Sequence, residues 1–393
     1  MGPIPTILQI IPDLETGGAE QTTLDVARAI VDQGWNAVVA SAGGRLQADI
    51  EDAGGAHVTL PLRAKNPAAL LVNAQRLAHL IRGRNVDVVH ARSRAPAWSA
   101  LLAAKQTNRP LVTTYHGAYR QSGPLKGFYN SVMARGDVVI ANSAYTADMI
   151  RARHPIAKER ITVVHRGTDF SAFDPAALTE DRRDRLRQAW GVTASTPILL
   201  QVARLTEWKG QSVVIEAMGK LGSGHGDIVA VLAGDAQGRQ QYIEQLLANI
   251  RSLSLDGRVR LVGHCDDVPA ALSLADVSVV ASTQPEAFGR AAVEAQAMGV
   301  PVIVSDLGAV GETVLAPPQI DDLARTGWRV PAGDAEALAG AVEAVLAMPA
   351  GDRTKLTARA GDHVRALFSV QAMTEATLNV YRALLNSHDR EKK

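Results

Sequence analysis

Apolar runs of strand length, unbroken rather than alternating, recur along almost the whole chain, with helix-length segments between them. In the first half they read TILQIIP, NAVVASA, AHVTLP, VDVVHAR, PLVTTYHG, DVVIANS and ITVVHRG. A strand with one wet face alternates apolar and polar residues, whereas a strand apolar throughout has to be covered on both faces. Strands covered in that way and spaced by helices form a parallel sheet with helices on either side. Intervening segments such as GAEQTTLDVARAIVDQG and NPAALLVNAQRLAHLIRGR supply those helices. The predicted class is therefore α/β.

The pattern runs twice. Residues 1–170 read as one doubly wound domain. A polar stretch with two prolines, 171–197, reads as a linker with a short helix. Strand-sized runs then restart at PILLQVARL and continue through DIVAVLAGD, RVRLVGHC, VSVVAST and PVIVSD, which makes 171–370 a second such domain. Beyond about Ala335 only helical patterns remain, ending in QAMTEATLNVYRALLNS and a charged tail, HDREKK, expected to fray. At 393 residues the chain is too long for one ordinary core. Open α/β sheets bind ligands outside the carboxyl ends of their strands, so two of them predict Rossmann-like domains facing a central cleft.

Charge divides unevenly. Up to Phe170 there are 19 Lys/Arg and 13 Asp/Glu, and beyond it 22 and 27, within a net charge of +1. A basic first domain suits an anionic surface, such as the inner face of a plasma membrane; ordinary scatter of solvated charge is the alternative. The helix-like segment 62–84 mixes apolar and basic positions and is read either as bilayer contact or as a packed helix with solvated ends. A single cysteine, Cys265, excludes an intramolecular disulfide and points to a reducing compartment. The first residues show no charged leader, and no stretch approaches the ~20 apolar residues of a membrane span. A cytoplasmic protein, soluble or peripheral, is expected, with no sign of nucleic-acid binding.

The strand-following loops hold the candidate chemistry. Gly17 and Gly18 precede a helix predicted to start near Ala19 or Glu20, where a helix N-terminus favours an anion; a plain tight turn is the alternative. His116 ends the fifth strand, where it can donate to a hydroxyl or stabilise developing charge; a satisfied loop histidine is the alternative. Arg92 and Arg94 end the fourth and Asn142 the sixth, as acceptor contacts or solvated loop residues; Ser143 is expected to cap a helix from Ala144. In the second half, Arg204 and Lys209 share one loop before a helix opening near Gly210, and two cations there suit a diphosphate. Gly234 follows the next strand. Gly263, His264 and Cys265 follow the one after, where a flat base can lie against backbone. Finally PEAFGRAAVEAQAMG sets Glu286 in a loop and Glu294 eight residues on, with the amides of Ala287, Phe288, Gly289 and Arg290 at a helix start between them. Taken at helical rise, that spacing is roughly 12 Å, the reach of a ligand with hydroxyls at both ends and phosphates between. A carboxylate favouring the helix dipole and a solvated helix charge would be the bland account.

These pieces resemble the retaining GT-B glycosyltransferases of family four, group one type, which use nucleotide-diphosphate sugars. The resemblance is carried by GGAE at Gly17–Glu20, YHG at Tyr115–Gly117, ARLTEWKG at Ala203–Gly210 and PEAFGRAAVEAQAMGVPVI at Pro285–Ile303. It implies that Glu286 contacts the donor sugar and Glu294 the ribose. Arg204 and Lys209 bind the diphosphate, His116 lies over the reacting sugar, and Gly17 and Gly18 sit near donor phosphate and acceptor. The resemblance further implies a final helix, from about Gln371 to residue 393, that crosses back onto the first domain. Arg290 departs from the pattern, filling a position often small or aliphatic in relatives. The implied reaction is hexosyl transfer with retention, from a nucleotide sugar (UDP rather than GDP) to a glycan or glycolipid acceptor in lipopolysaccharide or other cell-surface polysaccharide synthesis. No cofactor is implied; the lack of an Asp-x-Asp motif or a His/Cys cluster implies no metal. A GT-B epimerase or hydrolase and a non-enzymatic sugar-nucleotide binder share the same scaffold. A nicotinamide enzyme is disfavoured by the missing G-x-G-x-x-G.

Overall fold

The computed structural model describes residues 4–15, 17–117, 123–222, 224 and 226–391, with side chains through 387; the side chains of the tail expected to fray lie outside them. The chain divides into two compact units, residues 1–167 with 370–393, and residues 168–369.

In unit 1 the apolar runs become β1 (Thr6–Ile10), β2 (Asn36–Ser41), β3 (Ala56–Thr59), β4 (Val88–Ala91), β5 (Leu111–Tyr115), β6 (Val138–Ala141) and β7 (Ile161–Val163). They pair in the order β3-β2-β1-β4-β5-β6-β7, every pair parallel. The order reverses direction between β1 and β4, which makes their carboxyl ends the switch point. Successive residues feed opposite faces. Leu8, Ile10, Val89 and Ala91 enter one core with Leu77 and Ile81 of the helix Pro67–Gly83. Ile7, Val39, Val88 and Val112 enter the other, with Leu24 and Ile30 of the helix Gly18–Asp32. Helix 67–83 starts where the sequence dictates: Pro67 needs no amide partner in the first turn, and the Asn66 side chain accepts from the Ala69 amide at 2.8 Å.

The second face of unit 1 is completed from far along the chain. The helix Val370–Glu391 packs Met373, Leu378, Val380 and Tyr381 into it.

Unit 2 holds β8 (Ile198–Val202), β9 (Val229–Ala233), β10 (Val259–Gly263), β11 (Val277–Val280), β12 (Val302–Ser305) and β13 (Trp328–Val330). They pair in the order β10-β9-β8-β11-β12-β13, again all parallel. The three-residue β13 is too short to show in the apolar pattern. The polar stretch read as a linker is not a free tether. Leu178, Trp190 and Val192 are buried in the core of unit 2, and Arg182 makes a two-pronged bond to Asp267 at 2.7 and 2.8 Å. Trp190 ends the helix Glu180–Trp190, with Leu178 just before it and Val192 just after, and the surrounding charge hides all three in the sequence.

A buried polar chain ties the last helix to β4. His90 is fully buried; its Nδ1 lies 2.6 Å from the Tyr381 hydroxyl and its Nε2 2.7 Å from Thr114 Oγ1. Two hydroxyls can each donate or accept, so they satisfy a neutral imidazole without charge. Burial, with the charge of nearby Arg92 acting in the same sense, drives the His90 pKa well below its usual value. Burial also pushes the Tyr381 phenol up to about 12, against the pull of Arg92. The folded state therefore binds fewer protons at His90 than the unfolded chain once pH falls below about 6.5, and stability falls with acidification from there, by up to ~1.4 kcal/mol per pH unit. Urea titrations between about pH 7 and about pH 5 should show that loss in the native chain and a shallower one in His90→Gln. Tyr381→Phe should cost about 1–3 kcal/mol at neutral pH by removing a hydroxyl partner from His90.

Candidate functional site

The carboxyl-end loops of unit 2 are fastened to one another through backbone. Gly210 ends the loop after β8 with φ +69°, and a Cβ there would run into the Ala281 carbonyl at the end of β11. The Thr283 amide donates to the Trp208 carbonyl at 2.8 Å. Gly234, after β9, lies against the Ala203 carbonyl with no space for a side chain, and its amide donates to the Gly263 carbonyl at 2.7 Å. Gly308, after β12, bridges to Glu286, whose carbonyl accepts from the Ala309 amide at 2.8 Å. Two buried glutamines hold the cationic loop from below. Gln201 Nε2 donates to the Lys209 carbonyl at 2.7 Å and Gln211 Nε2 to that of Arg204 at 3.0 Å.

Within this scaffold the structure brings Lys209 and Glu286 together. They come from sequence positions 77 apart and form an ion pair, their side chains only 18% and 13% exposed. Ser282 Oγ donates to the same carboxylate oxygen at 2.6 Å, and Lys209 Nζ lies 4.1 Å from the centroid of the Trp208 ring. Neither Ser282 nor Trp208 was given a role from the sequence, although Trp208 lies within the motif Ala203–Gly210 and Ser282 just ahead of the one that starts at Pro285. Arg204 is exposed on the same loop.

The segment after Glu286 departs from the helical picture. Gly289 caps the helix Arg290–Ala297 in the left-handed region at φ +87°, so only the last part of the Glu286–Glu294 spacing is helical, and the 12 Å taken from helical rise does not apply. The Ala292 and Val293 amides donate back to the Gly289 carbonyl at 3.0 and 3.4 Å, so the helix-start amides ahead of them are those of Arg290 and Ala291. The Phe288 side chain is core, edge-on to Phe368 with centroids 5.3 Å apart. Glu294 is no solvated helix charge: it is 6% exposed, and Arg290 Nε, one turn back, lies 2.7 Å from its carboxylate. The residue that breaks the family pattern thus pairs with one that carries it. Gly263 leaves β10 at φ +73°. His264 is exposed and pairs with Asp266 at 3.0 Å. Half-buried Cys265, its thiol pKa raised by burial, borders a hollow lined by Arg182, Trp190 and Arg260.

In unit 1, Gly17 caps the helix Gly18–Asp32 without a side-chain hydrogen bond. The Glu20 carboxylate folds over Gly17 and the Arg166 guanidinium lies on Gly18, so a side chain at either would displace one of these flexible tips. Arg166, which follows β7, had not been picked out. His116 follows β5 with its Nε2 buried and unpartnered, and burial with the Arg92 and Arg166 charges lowers its pKa to about 3. Asn142 is buried, donates to the His116 carbonyl at 3.4 Å and leaves its Oδ1 unpartnered. Ser143 caps its helix, accepting from the Thr146 amide at 3.0 Å. Arg92 is not at a solvated rim: it is 3% exposed and donates through Nε to Gln9 at 2.7 Å. Arg94 donates to Asn130 Oδ1 at 3.0 Å.

Comparison with known proteins fits this arrangement. Residues 16–172 match the family model Glycosyltransferase Family 4, and residues 182–363 match Glycosyl transferases group 1. The crystal structure of a glycosyltransferase from Rickettsia africae superposes with a TM-score of 0.86 at 33% identity, covering 97% of this chain and 99% of that one. HepE from Anabaena, solved with UDP and glucose, gives a TM-score of 0.76 at 23% identity over 96% of this chain and 100% of its own. A glycogen synthase of Mycobacterium tuberculosis is 31% identical over 309 residues, which is 76% of this chain and 69% of that protein. Two parallel, doubly wound sheets, an ion pair at the carboxyl ends of one of them and matches across both halves agree: the chain belongs to the family 4, group 1 retaining glycosyltransferases of GT-B fold, which transfer a sugar from a nucleotide sugar.

Proposed function

We propose that unit 2 holds the donor and that the Lys209–Glu286 pair is the centre of its chemistry. The observation that carries this reading is the pair's burial at a ligand-facing edge. An ion pair withdrawn from water is a weak source of stability, because desolvation offsets most of the attraction. Set on loops rather than in the core, it serves a ligand better than a fold. Glu286, held by Ser282 and Lys209, accepts hydrogen bonds from the transferred sugar's hydroxyls. Lys209 and exposed Arg204 face the diphosphate, with the amides of Ala287–Arg290 as further donors. Glu294 takes the ribose diol, and the Gly263–Cys265 turn takes the base.

Transfer with retention then needs no base from the protein. The bond between the anomeric carbon and the leaving phosphate breaks, the acceptor oxygen bonds to that carbon on the same face, and the acceptor's proton passes to the departing phosphate. The protein's share is charge stabilisation of the diphosphate and exclusion of water. In unit 1, His116 stays neutral at physiological pH and offers a hydrogen bond to a sugar hydroxyl. Arg94 and Asn142 are its acceptor-side polar groups, with buried Arg92 behind them.

The donor is a UDP-linked hexose, as HepE's complex with UDP-glucose supports. The acceptor is a glycan or glycolipid of a cell-surface polysaccharide such as lipopolysaccharide, made on the cytoplasmic side of a membrane. Among the described residues no helix is long and apolar enough to cross one, so such contact would be peripheral.

A thermal-shift screen of nucleotide sugars, followed by turnover with the best donor, tests the assignment. Lys209→Ala and Glu286→Gln should each lower kcat by about a hundredfold or more when assayed well below their unfolding midpoints, which the loss of one partner of a buried pair should lower; near-normal rates in both would place the chemistry elsewhere. Glu294→Gln should act differently. It should raise the donor KM by about tenfold with a smaller effect on kcat, and a 2′-deoxyribose donor should show that penalty in the native enzyme but not in the variant.

A further inference from the structure

The helix Arg290–Ala297 has eight residues, and the six from Ala292 to Ala297 are buried. Water reaches it at its start, where Arg290 is exposed and Ala291 half-buried. Among the six buried residues stands one charge. The Glu294 side chain is 8% exposed, against 60% for Arg290, whose Nε lies 2.7 Å from its carboxylate. The contact is made through Nε, and the greater part of the guanidinium stands in solvent. Arg290 is also the first residue after Gly289, whose left-handed turn separates it from Glu286 and Phe288.

As a source of stability this pair is poorly made. A carboxylate taken out of water regains only part of the cost from a partner that stays solvated. The cation precedes the acid by four residues, the weaker of the two orders on a helix. It also occupies the positive end of the helix dipole, where an anion is favoured and a cation is not. A ligand that brings hydroxyls for Glu294 and an anion for Arg290 relieves both residues at once. We infer that Arg290 determines specificity by changing partners when the donor binds. A ribose diol needs both oxygens of the Glu294 carboxylate, and one of them holds Arg290 Nε. The ribose displaces the guanidinium, which turns to the phosphate carried on that ribose and meets it with a two-pronged hydrogen bond. A bare nucleoside has to break the ion pair and leaves the released cation without an anion. A nucleoside phosphate breaks the same pair and supplies one. Arg290 thereby gives the donor site proposed above, on which this assignment rests, a preference for phosphorylated ligands beyond that set by Arg204 and Lys209.

The test is calorimetric titration of the full chain with uridine, UMP and UDP, and with guanosine, GMP and GDP alongside, well below the unfolding midpoint of every variant. The weak nucleosides are read by displacement of the diphosphate. The native chain should gain strongly at the step from nucleoside to monophosphate in one of the two series. Arg290→Ala should weaken the monophosphate and the diphosphate by about tenfold. It should bind the nucleoside at least as tightly as the native chain does, because its Glu294 is unmasked. Arg290→Lys should restore part of the phosphate step, and Glu294→Gln should weaken all three ligands alike and keep the step. Equal weakening of nucleoside and nucleotides in Arg290→Ala would make Arg290 a mere support for Glu294 and overturn the inference, as would affinities that do not move at all. A native chain that binds neither series removes the donor site itself, and the assignment with it, before any variant is compared.

Discussion

A parallel strand covered on both faces has almost nowhere to place a polar group except where it ends. That constraint organises both units. The strands of the two sheets are filled by residues such as Leu8, Val39, Leu200 and Ile303, and helices close over them. Chemistry is left to the carboxyl-end loops, and in unit 2 these are drawn into one surface by backbone contacts that only glycine allows, at Gly210, Gly234 and Gly308. Lys209 and Glu286 meet because β8 and β11 are neighbours at the switch point, although β9 and β10 intervene in sequence.

Exceptions to that constraint occur in both units, as at Gln201 on β8, and those of unit 1 form a group. Gln9, His90, Arg92 and Thr114 lie on or directly after strands and are buried, each with a polar partner. Arg92 shows the difference between sequence position and place in the fold. Its side chain lies beneath the carboxyl-end surface, where its charge acts on the His90 and His116 imidazoles and the Tyr381 phenol rather than on solvent. Unit 1 thus maintains a positive electrostatic bias under its ligand-facing edge without exposing that cation.

How much of this could be read beforehand depended on the length scale of each signal. The α/β class was legible because unbroken apolar runs have one physical reading, and the parallel pairing follows from it. The cationic loop and the Glu286 motif were legible as residue types next to strand ends. What escaped were relations set by tertiary neighbours. The Glu286–Glu294 segment looked like a continuous helical spacing, yet Gly289 breaks it with a left-handed residue. Glu294 reads as a ribose contact or, in the bland account, a solvated helix charge; its burial and its pairing with Arg290 follow from folding and not from its spacing. The stretch 171–197 looked like a tether because charge masks the few apolar residues, Leu178, Trp190 and Val192, that bury it. Ser282, Trp208 and Arg166 act through side chains brought close by folding, which no local spacing announces.

The closing helix Val370–Glu391 carries a consequence for how the protein comes into being. Its Tyr381 and Met373 finish a wall of unit 1, whose sheet is assembled from residues made more than two hundred positions earlier. During synthesis the first seven strands emerge with one side of their core covered in part by the helix Gly18–Asp32, and His90 waits for a hydroxyl that has not yet been translated. The second unit, continuous in sequence, has all its parts before the first does. The order of completion therefore runs against the order of emergence: unit 1 begins first, and its core closes only once the helix Val370–Glu391 has been made.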